Sequence, residues 1–180
     1  MKTKFGLTLL SLLLSVMMQA QTPSATMVMN EAYAKAKKEK KNVFLMFHAS
    51  WCGWCHRMDT SMNDASCKKF FDDNYVITHL TVDESPDKKD LENEGADEMR
   101  NKYGGKDQGI PYWLVFDAEG KLLADSRMKQ VGTQTLSGDN TGCPAAENEV
   151  LYFLSVLRKT SNMTREQLEV VKTRFRKNAM

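Results

Sequence analysis

The sequence predicts an α/β protein: a mixed central sheet with helices on both faces, and further helices at its N-terminal and C-terminal ends. Three observations point there. Short apolar runs at Val43–Phe47, Tyr75–Val82 and Tyr112–Phe116 have the length and the branched and aromatic content of buried strands. A longer segment of helical character separates the first two, so a crossover joins them and they run parallel. The third run is followed by Asp117-Ala118-Glu119-Gly120 and a second short run, Lys121–Asp125, the pattern of an antiparallel hairpin.

Taken in order, residues 21–26 read as a short flexible lead. From Met27 to Lys41, Met29, Tyr33 and Ala36 recur at helical spacing among lysines, giving an amphipathic helix with a solvated basic face. After the strand Val43–Phe47, no proline interrupts Cys55–Phe71. This helix is expected to bend near Asn63-Asp64, residue types that favour turns and caps, and to resume around Cys67–Phe71. The stretch Asp83–Glu98 holds eight carboxylates with only Lys88 and Lys89 between them. It reads as a solvated loop entering a helix that stops at Gly104-Gly105, and it lacks the ordered ligand pattern of a calcium loop. Residues 126–143, polar and carrying glycines, are expected as loop. Val150, Phe153, Leu154 and Leu157 mark a packed helix. Thr164 to Gln167 is a capping box that opens a last helix with Leu168, Val171 and Phe175 turned inward. A chain of 180 residues can bury the core of one domain, here 27–159, with 160–180 as a C-terminal helical extension.

The chemistry lies in Trp51-Cys52-Gly53-Trp54-Cys55-His56, between a strand and a helix. Residues i and i+3 share a helix face, so both sulfurs sit within bonding reach at a helix N-terminus. Unpaired N–H groups and the helix dipole favour a thiolate there, lowering a cysteine pKa from ~8.5 into the range ~3.5–7.5. A thiolate attacks disulfides, and a second cysteine so placed resolves the adduct.

That motif after a strand, with Gly109-Ile110-Pro111 before the apolar run Tyr112–Phe116, resembles the thioredoxin family over residues 27–159. The resemblance implies a thioredoxin-like fold and thiol–disulfide exchange at Cys52 and Cys55, supported by Trp51, Gly53, Trp54, Ile110 and Pro111. Pro111 would be cis, facing the cysteine pair, and its neighbouring backbone would be presented to an extended substrate. No cofactor is needed. The implied partners are disulfide-containing substrate proteins and a redox partner that resets the pair. The family also carries a buried aspartate six residues before its first cysteine. That position is Met46 here, which accepts no proton, while the family's nearby buried lysine falls on His79. Strand alternation groups His79 with Ile77 and Thr81. His79 is thus an expected acceptor of the Cys55 proton; a core histidine bonded to a carbonyl is the other reading.

Trp51 is expected to pack against the core and Trp54 to meet substrate. Cys67, more than three helical turns after Cys55, cannot readily share its disulfide. Cys67 and Cys143 are expected as free, partly buried thiols, with a structural Cys67–Cys143 bond as the other reading. Cys52-Gly-Trp-Cys55-His56 also matches the attachment signal of c-type haem. A haem- or copper-maturation module using the same cysteines as ligands is therefore the alternative function. A zinc site would want a second paired set, and Cys67, Cys143, His48 and His79 do not pair by spacing, so no metal is assigned.

Lys2 and Lys4 precede an uncharged run, Phe5–Met18, and Ala20 offers a small residue for cleavage, which together read as a secretory signal peptide over 1–20. Export fits a periplasm, where disulfides persist, with no stable membrane association after cleavage. The chain carries 25 basic and 23 acidic side chains; without Lys2 and Lys4 they balance, so nothing in the charge argues for nucleic acid or anionic lipid as a partner, and no nucleic acid is expected.

Overall fold

Strand β1 (Asn42–His48) is buried from Val43 to Phe47 without a break, because a strand pairs with each of its edges and helices cover each of its faces. The computed structural model describes residues 22–128 and 138–179; the signal peptide expected over 1–20 lies outside them. No helix among the described residues is long and apolar enough to cross a membrane.

On one edge, β1 pairs in parallel with β2 (Tyr75–Thr81), placing Met46 opposite His79. On the other it pairs antiparallel with β3 (Tyr112–Phe116), which continues into β4 (Leu122–Asp125), so the order is β2-β1-β3-β4. The mixed sheet thus follows the sequence reading. Alternate side chains enter opposite layers. Phe44 and Met46 join a core with α2 (Gly53–Met62), α3 (Lys68–Asn74), α5 (Glu147–Thr160) and α6 (Arg165–Arg176). Val43, Leu45 and Phe47 enter a second core with α1 (Ala25–Glu39) and α4 (Ala96–Lys102).

Element ends differ from expectation where a polar side chain sets them. Helix α1 begins at Ala25, because the Ser24 hydroxyl accepts from Met27 N at 3.3 Å; Ser24 to Thr26 are cap and first turn, not a flexible lead. The bend expected near Asn63-Asp64 is there: α2 ends at Met62, and Asp64 accepts from Ser66 N and Oγ. The acidic stretch is more structured than a solvated loop. It holds a 3₁₀ turn at Pro86–Leu91, and Glu84 is buried. Gly104 follows the end of α4 with φ +81°, a left-handed conformation that favours glycine, and a Cβ there would also press on the Arg127 guanidinium.

The C-terminal helix is part of the main core. Thr164 and Gln167 form the expected capping box, and Leu168, Val171 and Phe175 are buried in the cluster that holds Cys55. The Phe175 ring lies 4.9 Å from that of Phe153 and 6.2 Å from that of Phe71. Phe175→Ala is therefore expected to cost about 3–5 kcal/mol. Urea unfolding followed by circular dichroism checks this, and a single transition shared by α6 and the sheet is expected.

Candidate functional site

The segment after β1 is pinned before the cysteines are reached. Ser50 donates twice to the buried Glu84, from its backbone N at 2.5 Å and from Oγ at 2.8 Å. Burial alone would raise the Glu84 carboxyl, but these bonds outweigh it and hold the group below its ordinary range. Cys52 N donates to Ala49 O at 3.0 Å, closing the turn. Cys52 is then the N-cap of α2, and its sulfur accepts from Cys55 N at 3.1 Å. The two cysteines form a disulfide with Cα atoms 5.3 Å apart. Both cysteines are buried, Cys55 with no exposure and Cys52 with 3%, so only the first touches solvent at all. Cys52 Sγ also lies 3.7 Å from Ile110 O, and the Ile110–Pro111 peptide is cis, facing the pair as the resemblance implied.

A groove of about 480 Å³ runs from Trp54 past Ile110 and Pro111 to Gly142, Cys143 and Ala145. Asn140, in the segment expected only as loop, donates from Nδ2 to Gly109 O at 2.5 Å and Pro111 O at 3.1 Å, fixing this wall. Trp54 is half exposed beside the cysteines, as expected, with the Arg57 guanidinium 4.8 Å above its ring. Trp51 does not pack into the core. It is 60% exposed, because its indole Nε1 donates to Asp83 O at 2.8 Å and holds the ring at the surface. A Cβ at Gly53 would meet nothing within 4 Å, so space does not demand glycine there.

All three imidazoles of the chain border this site. His79 Nε2 lies 2.9 Å from Asp59 Oδ1, so its partner is a carboxylate and not the carbonyl of the core-histidine reading. Asp59 stands one turn after Cys55 on α2, and the i, i+4 spacing was the signal that could have found it. The His48 ring lies 5.0 Å from that of His79, with Nε2 3.3 Å from Thr81 Oγ1. His56 Nε2 is 3.0 Å from Ser50 O. Burial first, and then His79, pushes His48 below the ordinary imidazole value.

Cys67 and Cys143 are free and buried. Cys67 donates to Ser61 O at 3.2 Å, and burial raises its pKa. Cys143 accepts from Asn178 Nδ2 at 3.4 Å, and burial pushes it up to about 12. Neither is an activated thiol. Among the described residues, no group of three or more His, Cys, Asp or Glu side chains is arranged to hold a metal ion.

The lowered His48 pKa fixes a direction for stability against pH. As pH falls past ~6.5 the unfolded chain takes up the His48 proton before the folded one does. The contribution is complete above that value and is lost progressively below it, towards the depressed folded pKa. The urea midpoint is expected to fall between pH 7.5 and pH 5.5, and to fall less in His48→Gln.

A profile of the thioredoxin-like family matches residues 25–118, from α1 to the turn after β3. Spermatogenesis-associated protein 20 of Mus musculus is 36% identical over 58 residues, which are 32% of this chain and 7% of that protein. An uncharacterised protein of Caenorhabditis elegans, B0495.5, is 38% identical over 58 residues, 32% of this chain and 8% of its own. The match therefore spans less than a tenth of either relative's length. Among solved structures, a disulphide isomerase from Xylella fastidiosa Temecula1 is 24% identical, covers 56% of this chain and 72% of its own, and has a TM-score of 0.46. The DsbH oxidoreductase is 23% identical, covering 77% and 84%, with a TM-score of 0.40. On its sequence from α1 through β3 and its redox-type pair Cys52–Cys55, the chain belongs to the thioredoxin-like family.

Proposed function

We propose that this protein is an exported thiol–disulfide oxidoreductase that reduces disulfides in substrate polypeptides. What carries the reading is the Cys52 sulfur at the N-cap of α2, with the Cys55 N–H 3.1 Å away. When the pair is reduced, that N–H and the helix N-terminus favour a thiolate at Cys52. The thiolate attacks one substrate sulfur and expels the other, leaving a mixed disulfide. Cys55 then loses its proton and attacks Cys52 Sγ, which releases the second substrate thiol and closes Cys52–Cys55. Two electrons pass to the substrate, and a redox partner of the reducing type must return them. Ile110 and Pro111 shape the wall along which an extended substrate lies. Export rests on Lys2, Lys4 and the uncharged run Phe5–Met18, and it would place the protein in the periplasm.

The reducing direction rests on the two residues between the cysteines. Gly53 and Trp54 offer no imidazole to hold the reduced thiolate strongly, so the potential is expected nearer the ~−270 mV of thioredoxin than the ~−120 mV of the strong oxidant DsbA. Equilibration with glutathione measures it, and a value above about −150 mV would overturn the direction. Cys55→Ser should accumulate a mixed disulfide through Cys52 with reducible insulin, whereas Cys52→Ser should form none. Mass mapping of the trapped adduct decides the roles, and linkage through Cys55 would reverse them.

His79, paired with Asp59 one turn from Cys55, is the proposed proton acceptor for the second step, directly or through water. His79→Gln should slow release of the mixed disulfide by about tenfold or more. First attack by Cys52 should change little. Unchanged release would leave solvent as the acceptor.

A further inference from the structure

Directly after the cysteine pair the surface turns cationic. A cleft of about 490 Å³ is lined by His56, Arg57, Asp64, Arg174, Lys177 and Asn178, along with Thr60. It joins the first turns of α2 to the end of α6 and the 3₁₀ turn Lys177–Ala179. Its full charges are three cations and one carboxylate. That carboxylate is already engaged: Asp64 accepts from Ser66 N and Oγ and, at 2.8 Å, from Arg174 Nε. The Ser66 bonds first, and then Arg174, hold Asp64 at about 2, so it stays ionised and offsets one cation without titrating.

Both guanidinium groups are held by one buried residue. Arg57 Nη1 donates to Asn178 O at 3.0 Å, and Arg174 Nη1 donates to Asn178 Oδ1 at 3.2 Å. Asn178 is itself fixed by Ser61 Oγ at 3.1 Å and by its own bonds to Cys143 Sγ and Pro144 O. This leaves Nη2 of each arginine without an acceptor among the described residues, and the exposed Lys177 has no carboxylate within ion-pair distance among them. Planar donors whose rotamers are already fixed lose little entropy on binding a carboxylate, and that is the arrangement which recognises one. Arg57 also stacks on Trp54, whose other surroundings are the groove along Ile110 and Pro111. The cationic wall is thus continuous with the groove proposed for the substrate chain.

We propose that the cleft of Arg57, Arg174 and Lys177 is a specificity subsite for acidic side chains next to the reacting cysteine, so that the preferred substrates are disulfides in locally acidic polypeptide. The inference rests on the exchange reading and adds its substrate class. The acidic residue docks by charge-assisted hydrogen bonds as Trp54 and the Ile110–Pro111 wall take the adjoining backbone.

The test uses three synthetic peptides with one cysteine each, capped as the mixed disulfide with 2-mercaptoethanol and flanked by glutamate, lysine or serine. Pre-reduced protein passes two electrons to each, releasing the peptide thiol and mercaptoethanol and closing Cys52–Cys55. Rates are taken relative to those of dithiothreitol on the same peptide, which removes the effect of flanking charge on the leaving thiol. At low ionic strength the glutamate peptide should react about five- to tenfold faster than the serine peptide, and the lysine peptide more slowly still. The preference should largely vanish at about 0.5 M salt. Lys177→Glu, a change at an exposed residue, should cut the glutamate-to-serine ratio at least about threefold, and Arg57→Gln should cut it as well. Equal relative rates for the three peptides, or a ratio untouched by both variants, overturns the subsite and leaves the exchange chemistry standing. No reaction with any of them overturns the exchange reading, and the subsite falls with it.

Discussion

Everything in this molecule depends on β1 holding its register. Its residues Val43 to Phe47 have no exposure, and they alternate between two separate cores. A slip by one residue would send Phe44 and Met46 into the layer under α1 and α4, and Leu45 and Phe47 into the layer that holds the redox helix. Each large apolar side chain contributes about 1.5–3 kcal/mol by its burial, so such a slip would forfeit most of that gain at several positions together. Because pairing occupies both edges, the strand cannot shift without breaking two ladders as well. The position of Cys52 four residues past His48 is thereby set by packing well away from any sulfur.

The site then gathers from parts of the chain that packing brings together. Burial makes Cys55 inaccessible, while Cys52, at the N-cap of α2, keeps a small exposure. A carboxylate, Glu84, anchors the turn that leads into the motif, and Asn140 fixes the facing wall. Met46 has no proton to exchange, but the neighbouring strand sets His79 opposite it, and the helix sets Asp59 against His79. Polarity absent from one strand position is supplied from two neighbouring elements.

Local pattern made the scaffold legible. Alternation and helical spacing disclosed the strands and helices, the capping box disclosed α6, and Cys52–Cys55 with Ile110-Pro111 disclosed the centre of the site. What escaped the sequence depends on contacts between residues far apart along the chain. Ser50 and Glu84 are 34 residues apart, and Arg57 and Asn178 are 121 apart. In a run of eight carboxylates nothing marks Glu84 as the one that turns inward. Trp51 was misread because burial is the usual fate of an indole, while a single hydrogen bond to Asp83 O holds this one outside. Asn178 carries no pattern at all, for its importance comes from five partners that only the folded chain supplies.

The confinement of histidine to this neighbourhood has a spectroscopic consequence. His48, His56 and His79 are the chain's only imidazoles, and they lie at the end of β1, on the first turn of the redox helix and on β2. Their Cε1 protons resonate downfield of most other carbon-bound protons, one from each ring, so three lines in the spectrum of the intact, unlabelled protein come from the surroundings of one disulfide. Opening and closing Cys52–Cys55 can be followed through them without attaching a probe to either sulfur.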